Sequence, residues 1–96
     1  MNLLHLYYFC KVAELQHFTK AAAALYISQP SLSGAMSTLE AELGIALFEK
    51  NGRNVQLTKY GNIFYQYVRD ALQILDEGVA AVKEFTGDTS GSVDIG

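Results

Sequence analysis

The sequence predicts a small, mainly α-helical domain in which three helices and a two-stranded hairpin are followed by one long helix. Three observations predict this class. Apolar residues recur with helical spacing in three segments, an Asn-Gly pair lies between two short alternating runs, and a proline-free helical pattern extends over residues 59–85. Half of the 96 residues are hydrophobic, which is enough for one core and excludes a second full domain.

The first helix is predicted over Leu3 to Leu15. The residues that recur at helical spacing and form its expected buried face are Leu6, Phe9, Cys10 and Ala13. Cys10 is therefore expected to be a small core residue. A Cys–His nucleophile with His5 or His17 is the alternative, but the sequence offers no third group to orient it.

A short second helix is predicted from Lys20 through four alanines to Leu25, with Thr19 as its N-cap. Two residues then lead to Ser28, the expected N-cap of a third helix. A short helix, a tight turn and a longer helix are the signature of a helix-turn-helix, whose second helix enters the major groove of DNA while the first crosses the backbone.

The third helix is predicted from about Gln29 to Leu43, where Gly44 permits the left-handed conformation that ends a helix. Pro30 lies in the first turn, where its missing N–H does no harm. The expected core-facing residues are Leu32, Ala35, Met36, Leu39 and Leu43. The opposite face carries Gln29, Pro30, Ser33, Gly34 and Ser37. That face lacks bulky side chains and could enter a groove deeply; an ordinary amphipathic surface helix is the alternative.

A hairpin is predicted next, with strands at Leu47 to Glu49 and Val55 to Leu57 and a turn at Asn51-Gly52. Lys50 and Arg53 flank the turn. A hairpin with two cations at its tip, directly after a helix-turn-helix, is typical of a wing that contacts phosphates or the minor groove. A solvated hairpin with ordinary surface charges is the alternative.

A fourth helix, about 40 Å long, is predicted from Lys59 to Phe85 with Thr58 as its N-cap. Two apolar stripes run along it. The first consists of Tyr60, Phe64, Tyr67, Ala71, Ile74, Gly78, Ala81 and Phe85. The second, which we expect to form a homodimer contact, consists of Tyr65, Val68, Leu72, Leu75, Val79 and Val82. Two stripes indicate a second partner, since one suffices for packing on the helix's own domain; a single broad core-facing stripe is the alternative.

The net charge of −3 is unevenly distributed. Residues 1–62 carry five basic and four acidic residues, whereas residues 63–96 carry two and six. The acidity therefore does not exclude nucleic-acid binding by the N-terminal part. One Cys rules out an internal disulfide framework, no apolar run could span a bilayer, and the N-terminus lacks signal-peptide features, so we expect a cytoplasmic protein without a membrane partner.

The sequence resembles the N-terminal DNA-binding region of LysR-type transcriptional regulators from Met1 to about Thr86. The matching positions are Phe18-Thr19, Ala21-Ala22, Leu25, Ile27-Ser28-Gln29-Pro30, Ser33, Leu39-Glu40, Leu43-Gly44, Leu47-Phe48, Arg53, Val55, Leu57-Thr58 and Gly61. The resemblance implies a winged helix-turn-helix over residues 1–58 and a linker helix over residues 59–86 that pairs with that of a second subunit. Residues 87–96 would be a linker and the start of an effector-binding domain, so the chain is expected to be a fragment.

The resemblance also implies sequence-specific binding of duplex DNA, at an inverted-repeat operator, by a homodimer that could form a higher oligomer in the full-length protein. A small-molecule effector would bind only the missing domain. Gln29, Pro30 and Ser33 would contact bases or nearby phosphates, and Arg53 would be the wing cation. The full set of expected DNA-contacting residues is Thr19, Lys20, Ser28, Gln29, Pro30, Ser31, Ser33, Gly34, Ser37, Lys50 and Arg53.

Two positions depart from the family's pattern, which usually has Arg where this chain has Gly34 and Lys50. Gly34 removes a cation, and Lys50 keeps the charge but lacks the planar fork that binds phosphate bidentately. The sequence contains no catalytic-triad pattern, phosphate-binding Gly loop or metal-ligand cluster. We therefore expect no enzyme activity, cofactor or metal. The main alternative to DNA binding is a protein-interaction module of the same fold, which the acidic net charge and the cation-free third helix favour.

Overall fold

The computed structural model describes residues 1–86, which contain four α-helices and one two-stranded antiparallel sheet. The elements in chain order are α1 (Leu3–Leu15), α2 (Phe18–Leu25), α3 (Gln29–Leu43), β1 (Phe48–Asn51), β2 (Asn54–Leu57) and α4 (Lys59–Phe85). Helices α1, α2 and α3 pack on one another, the hairpin lies beside them, and α4 packs against α1. The predicted winged helix-turn-helix with a long final helix is confirmed. The linker and strand predicted at residues 87–96 lie outside the described residues.

The core is organised around Phe9 of α1, which is fully buried. Its ring centroid lies 5.5 Å from that of Phe48, 5.4 Å from that of Phe64 and 6.2 Å from that of Tyr65. Tilted and edge-on ring pairs at such distances contribute about 0.5–1.5 kcal/mol each beyond the burial of area. One side chain therefore joins α1 to both the hairpin and α4.

The N-terminal end of α2 differs from the prediction. His17, rather than Thr19, is the N-cap, because its Nδ1 accepts the backbone N–H of Lys20 at 3.2 Å. The helix accordingly begins at Phe18. The hydroxyl of Thr19 is not needed for capping and is available for another contact.

The hairpin turn lies one residue later than predicted. Asn51 pairs with Asn54 in the ladder, so the two turn residues are Gly52 and Arg53 rather than Asn51 and Gly52. Gly52 has φ 66°, as the first central residue of a type II′ turn requires. Arg53 is therefore itself at the tip. Leu47, predicted as the first strand residue, instead precedes the strand and is buried.

The backbone around Leu47 connects α3, the hairpin and α4. A Glu40 carboxylate oxygen of α3 accepts the N–H groups of Leu47 at 2.7 Å and Phe48 at 3.2 Å. The Leu47 carbonyl accepts the N–H of Thr58 at 2.9 Å, and the Thr58 hydroxyl accepts the N–H of Gly61 at 3.0 Å as the N-cap of α4. The three elements thus share one hydrogen-bonded junction.

The structure corrects the predicted division of α4 into two stripes. Val68 and Leu72, predicted at the dimer contact, are only 4% and 7% exposed because they pack in the core of their own chain, and Tyr65 packs against that core. Beyond Leu72 the helix leaves the core. The large apolar side chains of α4 that remain exposed are Tyr60, Ile63, Tyr67, Ile74, Leu75, Val79, Val82 and Phe85.

Gly61 allows α4 to approach the backbone of Leu47 closely. Any larger residue would place a Cβ that overlaps the Leu47 carbonyl oxygen.

We expect Gly61→Ala to lower the free energy of unfolding by about 1–3 kcal/mol through this overlap. Gly34→Ala is the matched control. Gly34 is also helical, and a Cβ added there would meet no atom within 4 Å, so this variant should gain up to about 1 kcal/mol of helix propensity. Urea denaturation followed by circular dichroism, at one protein concentration, measures both. Equal gains for the two variants would contradict the close approach.

Candidate nucleic-acid interface

The first half of α3 presents a surface of small, uncharged groups. The helix buries Leu32, Ala35, Met36 and Leu39, as predicted, whereas Leu43 is only half-buried against the core. Gln29, Gly34 and Ser37 on the opposite side are exposed, and Ser33 is half-buried. The Ser28 hydroxyl accepts the N–H of Ser31 at 3.2 Å and donates to the Ser31 hydroxyl at 2.8 Å, so both side chains hold the helix cap.

Two adjoining clefts separate this surface from the wing. The first, of about 350 Å³, has Thr19 and Gln29 on one side and Lys50 and Arg53 on the other. The second, of about 310 Å³, brings Ser33 and Ser37 together with Lys50. The remaining predicted DNA-contacting residues are exposed but line neither cleft; they are Lys20, Ser28, Pro30, Ser31 and Gly34.

His17 and Asn54 also line the first cleft, and the sequence reasoning missed both. The sequence did not predict His17 as the N-cap of α2, because Thr19 is the better N-cap by residue type. Asn54 lies at the start of β2, beside the cleft, because the turn is centred on Gly52 and Arg53. The alternative turn register is the signal that could have identified it.

The cations beside the clefts are not neutralised by neighbouring carboxylates. Among residues 1–86, Lys20, Lys50 and Arg53 form no ion pair. Lys11 and Arg69, on other surfaces, lie 3.3 Å from Glu14 and 3.5 Å from Asp70. The unpaired cations beside the clefts therefore lie on the wing and α2, the first half of α3 contributes neutral groups, and Glu40 and Glu49 line the second cleft beside Lys50.

A nucleophile at Cys10 is not supported by its surroundings. Burial, reinforced by the nearby Glu14 carboxylate, raises the pKa of the Cys10 thiol to about 11, so it is protonated at neutral pH. In the part of the chain that the structure describes, neither histidine hydrogen-bonds the thiol: His17 caps α2, and His5 stacks on Tyr8 with ring centroids 6.2 Å apart.

The described residues also contain no group of three or more potential metal ligands. Among residues 1–86, no helix has the length and apolar character needed to cross a membrane.

The position of these elements agrees with a family model described as "Bacterial regulatory helix-turn-helix protein, lysR family", which matches residues 3–62. The chain belongs to the LysR family. The family model covers α1, the helix-turn-helix, the wing and the first residues of α4.

Curated relatives of this LysR-family chain are named as HTH-type transcriptional regulators. BenM of Acinetobacter baylyi is 48% identical over 83 residues, which are 86% of this chain and 27% of BenM. BudR of Klebsiella aerogenes is 45% identical over 91 residues, 95% of this chain and 62% of BudR. AlsR of Bacillus subtilis is 40% identical over 96 residues, which are 100% of this chain and 32% of AlsR. The chain thus spans less than two thirds of the length of these relatives.

Solved structures of the LysR family share the fold closely. The crystal structure of a BenM_DBD/catB site 1 DNA complex has a TM-score of 0.86 at 46% identity, covering 91% of this chain and 97% of that chain. The crystal structure of a CbnR_DBD-DNA complex has a TM-score of 0.80 at 33% identity, covering 88% of this chain and 97% of that chain.

Proposed function

We propose that this LysR-family chain is the DNA-binding part of a transcriptional regulator, without enzymatic activity, that binds duplex DNA sequence-specifically. The observation that carries the proposal is the neutral, open surface of α3 beside the unpaired cations Lys50 and Arg53. The two related structures solved as DNA complexes support it. We also propose a cytoplasmic location, because the family model describes bacterial regulators and bacterial DNA lies in the cytoplasm.

The surface chemistry suggests a division of roles. The first half of α3 lies in the major groove, where Gln29 and Ser33 reach base edges and Pro30, Gly34 and Ser37 permit close approach. Lys20, near the start of α2, and the capping residues Ser28 and Ser31 contact the phosphate backbone. Lys50 and Arg53 contact phosphates or the minor groove from the wing.

The exposed apolar stripe of α4 supports a homodimer. We propose that Leu75, Val79 and Val82, with their exposed neighbours on α4, contact the same helix of a second copy, because a stripe of this extent favours association. A two-fold dimer presents two α3 helices in opposite senses and therefore binds an inverted repeat. The relatives are longer, and we propose that binding of a small-molecule effector and any higher oligomer depend on the rest of the full-length protein.

A protein-interaction module that uses the same fold is the second candidate, and the acidic net charge of −3 favours it. Selection of duplexes from a random library, followed by affinity measurements at several salt concentrations, separates the two. If Lys20, Lys50 and Arg53 are the cations that neutralise phosphates in each half of a dimer, the slope of log K against log[salt] should be no steeper than about −5. Absence of salt-dependent binding to any duplex would favour the interaction module.

We expect Arg53→Ala to weaken binding to all duplexes alike and to reduce the salt slope by about one per half-site, since each Arg neutralises one phosphate. Titrations at several salt concentrations measure the slope. Lys11→Ala is the matched control, because Lys11 lies on α1 and pairs with Glu14. An unchanged slope for Arg53→Ala would mean that the wing does not contact DNA.

Gly34→Arg restores the cation that the family usually carries, and a Cβ added at Gly34 would meet no atom within 4 Å. We expect tighter DNA binding at fixed salt and a higher melting temperature of the free protein, with up to about 1 kcal/mol of the stability coming from helix propensity. Gly34→Ala separates the two effects, since it gains stability without adding charge. Lower affinity together with higher stability would instead show that the DNA approaches too closely for a side chain.

Val79→Glu combined with Val82→Glu should give monomers in analytical ultracentrifugation and a large loss of affinity for the selected duplex, because two linked α3 helices make the second contact effectively intramolecular. Gln66→Glu with Gln73→Glu adds the same charge to exposed polar positions of α4 and is the control. Both variants should keep the thermal transition of the N-terminal domain. A monomeric wild-type protein at micromolar concentration, or full affinity of the valine variant, would contradict the dimer.

A further inference from the structure

A side-chain hydrogen bond joins the two helices of the helix-turn-helix at the edge of the first cleft. The Thr19 hydroxyl of α2 donates to the side-chain carbonyl oxygen Oε1 of Gln29 in α3, with an oxygen–oxygen distance of 3.1 Å. Within residues 1–86 it is the side-chain hydrogen bond that links α2 to α3. His17 caps α2, so the Thr19 hydroxyl takes no part in capping that helix.

The bond restricts what Gln29 can offer to a ligand. A glutamine amide carries an acceptor oxygen on one side and a donor NH₂ on the other. The terminal torsion of a free glutamine is broad, so such a side chain presents either group. With one acceptor site of Oε1 taken by Thr19, the Nε2 donors of Gln29 are left without a hydrogen-bond partner among the described residues.

We propose that Thr19 is a positioning residue that determines specificity: it orients the Gln29 amide so that Nε2 donates to hydrogen-bond acceptors on base edges. This inference rests on the proposed DNA-binding function. It differs from a direct contact of Thr19 with DNA, because Thr19 acts through Gln29.

The chemistry of the major groove gives this orientation a consequence. Guanine N7 and O6, adenine N7 and thymine O4 are acceptors, whereas adenine N6 and cytosine N4 are donors. A Gln29 fixed as a donor favours base pairs that place an acceptor opposite it. A Gln29 that rotates freely can also accept from an amino group, and it therefore discriminates less.

The test compares four variants. Thr19→Val keeps the side-chain shape but removes the hydrogen-bond donor, and Thr19→Ser keeps the hydroxyl. The other two are Gln29→Ala and the double variant that combines Thr19→Val with Gln29→Ala. The first probe is the duplex that the wild type binds most tightly after selection from a random library. In that duplex, the base pair at which Gln29→Ala no longer discriminates is identified. The other three probes carry the three alternative base pairs at that position. Kd ratios among these four duplexes measure discrimination, and melting temperatures verify folding.

We expect Thr19→Val to lose about 3- to 10-fold of the discrimination at that base pair, as the loss of one neutral hydrogen bond predicts. Binding should rise most for duplexes that place an amino group there. Thr19→Ser should retain the wild-type ratios, and the double variant should match Gln29→Ala.

Two results would overturn the inference while leaving the DNA-binding function intact. One is a uniform loss of affinity for all four duplexes in Thr19→Val, and the other is a further loss when Thr19→Val is added to Gln29→Ala. Either would mean that Thr19 contacts DNA directly. A wild-type protein that discriminates among no duplexes would overturn both the inference and the proposed function.

Discussion

The hydrogen bonds around the Leu47 backbone hold α3, the wing and α4 together at one point. Its N–H is held by the Glu40 carboxylate and its carbonyl by the N–H of Thr58, while its side chain is fully buried. Backbone groups in such a place need partners, and a carboxylate that accepts two of them forms charge-assisted bonds stronger than neutral ones. Glu40, Leu47 and Thr58, which lie away from the exposed α3 surface, therefore help to position the wing cations relative to that surface.

The opposite side of the wing is held independently. The N–H of Val55 in β2 donates to the carbonyl of Gln16, which ends α1, at 3.2 Å, and the ring of Phe48 in β1 packs on Phe9. The hairpin is thus attached to α1 as well as to α3 and α4, which fixes the width of the clefts. Attachment from two sides preorganises the hairpin, and preorganisation lowers the ordering cost of binding between the wing and α3.

The features that depend on local chemistry could be predicted from the sequence. α1 has the bounds that its apolar spacing predicted. α3 and α4 have the predicted bounds because Ser28, Gly44 and Thr58 mark helix ends by residue type. The predicted turn is wrong by one residue because Gly52 suits either central position. Apolar periodicity also cannot separate a residue that packs in its own core, such as Val68, from one that is exposed on the chain, such as Val79. The Thr19 to Gln29 bond joins side chains from two helices, so only the tertiary structure could show it.

The free second half of α4 gives the domain a mechanical property. The helix is attached to the core as far as Leu72 and extends about 20 Å further to Phe85 as a continuous rod. Because an α-helix of this length bends little, a sideways shift of about 5 Å at its far end turns the whole domain by about 15°. Two such rods held together by their far halves would convert a small displacement there into a change in the spacing and tilt of the two α3 helices, with no rearrangement inside either domain.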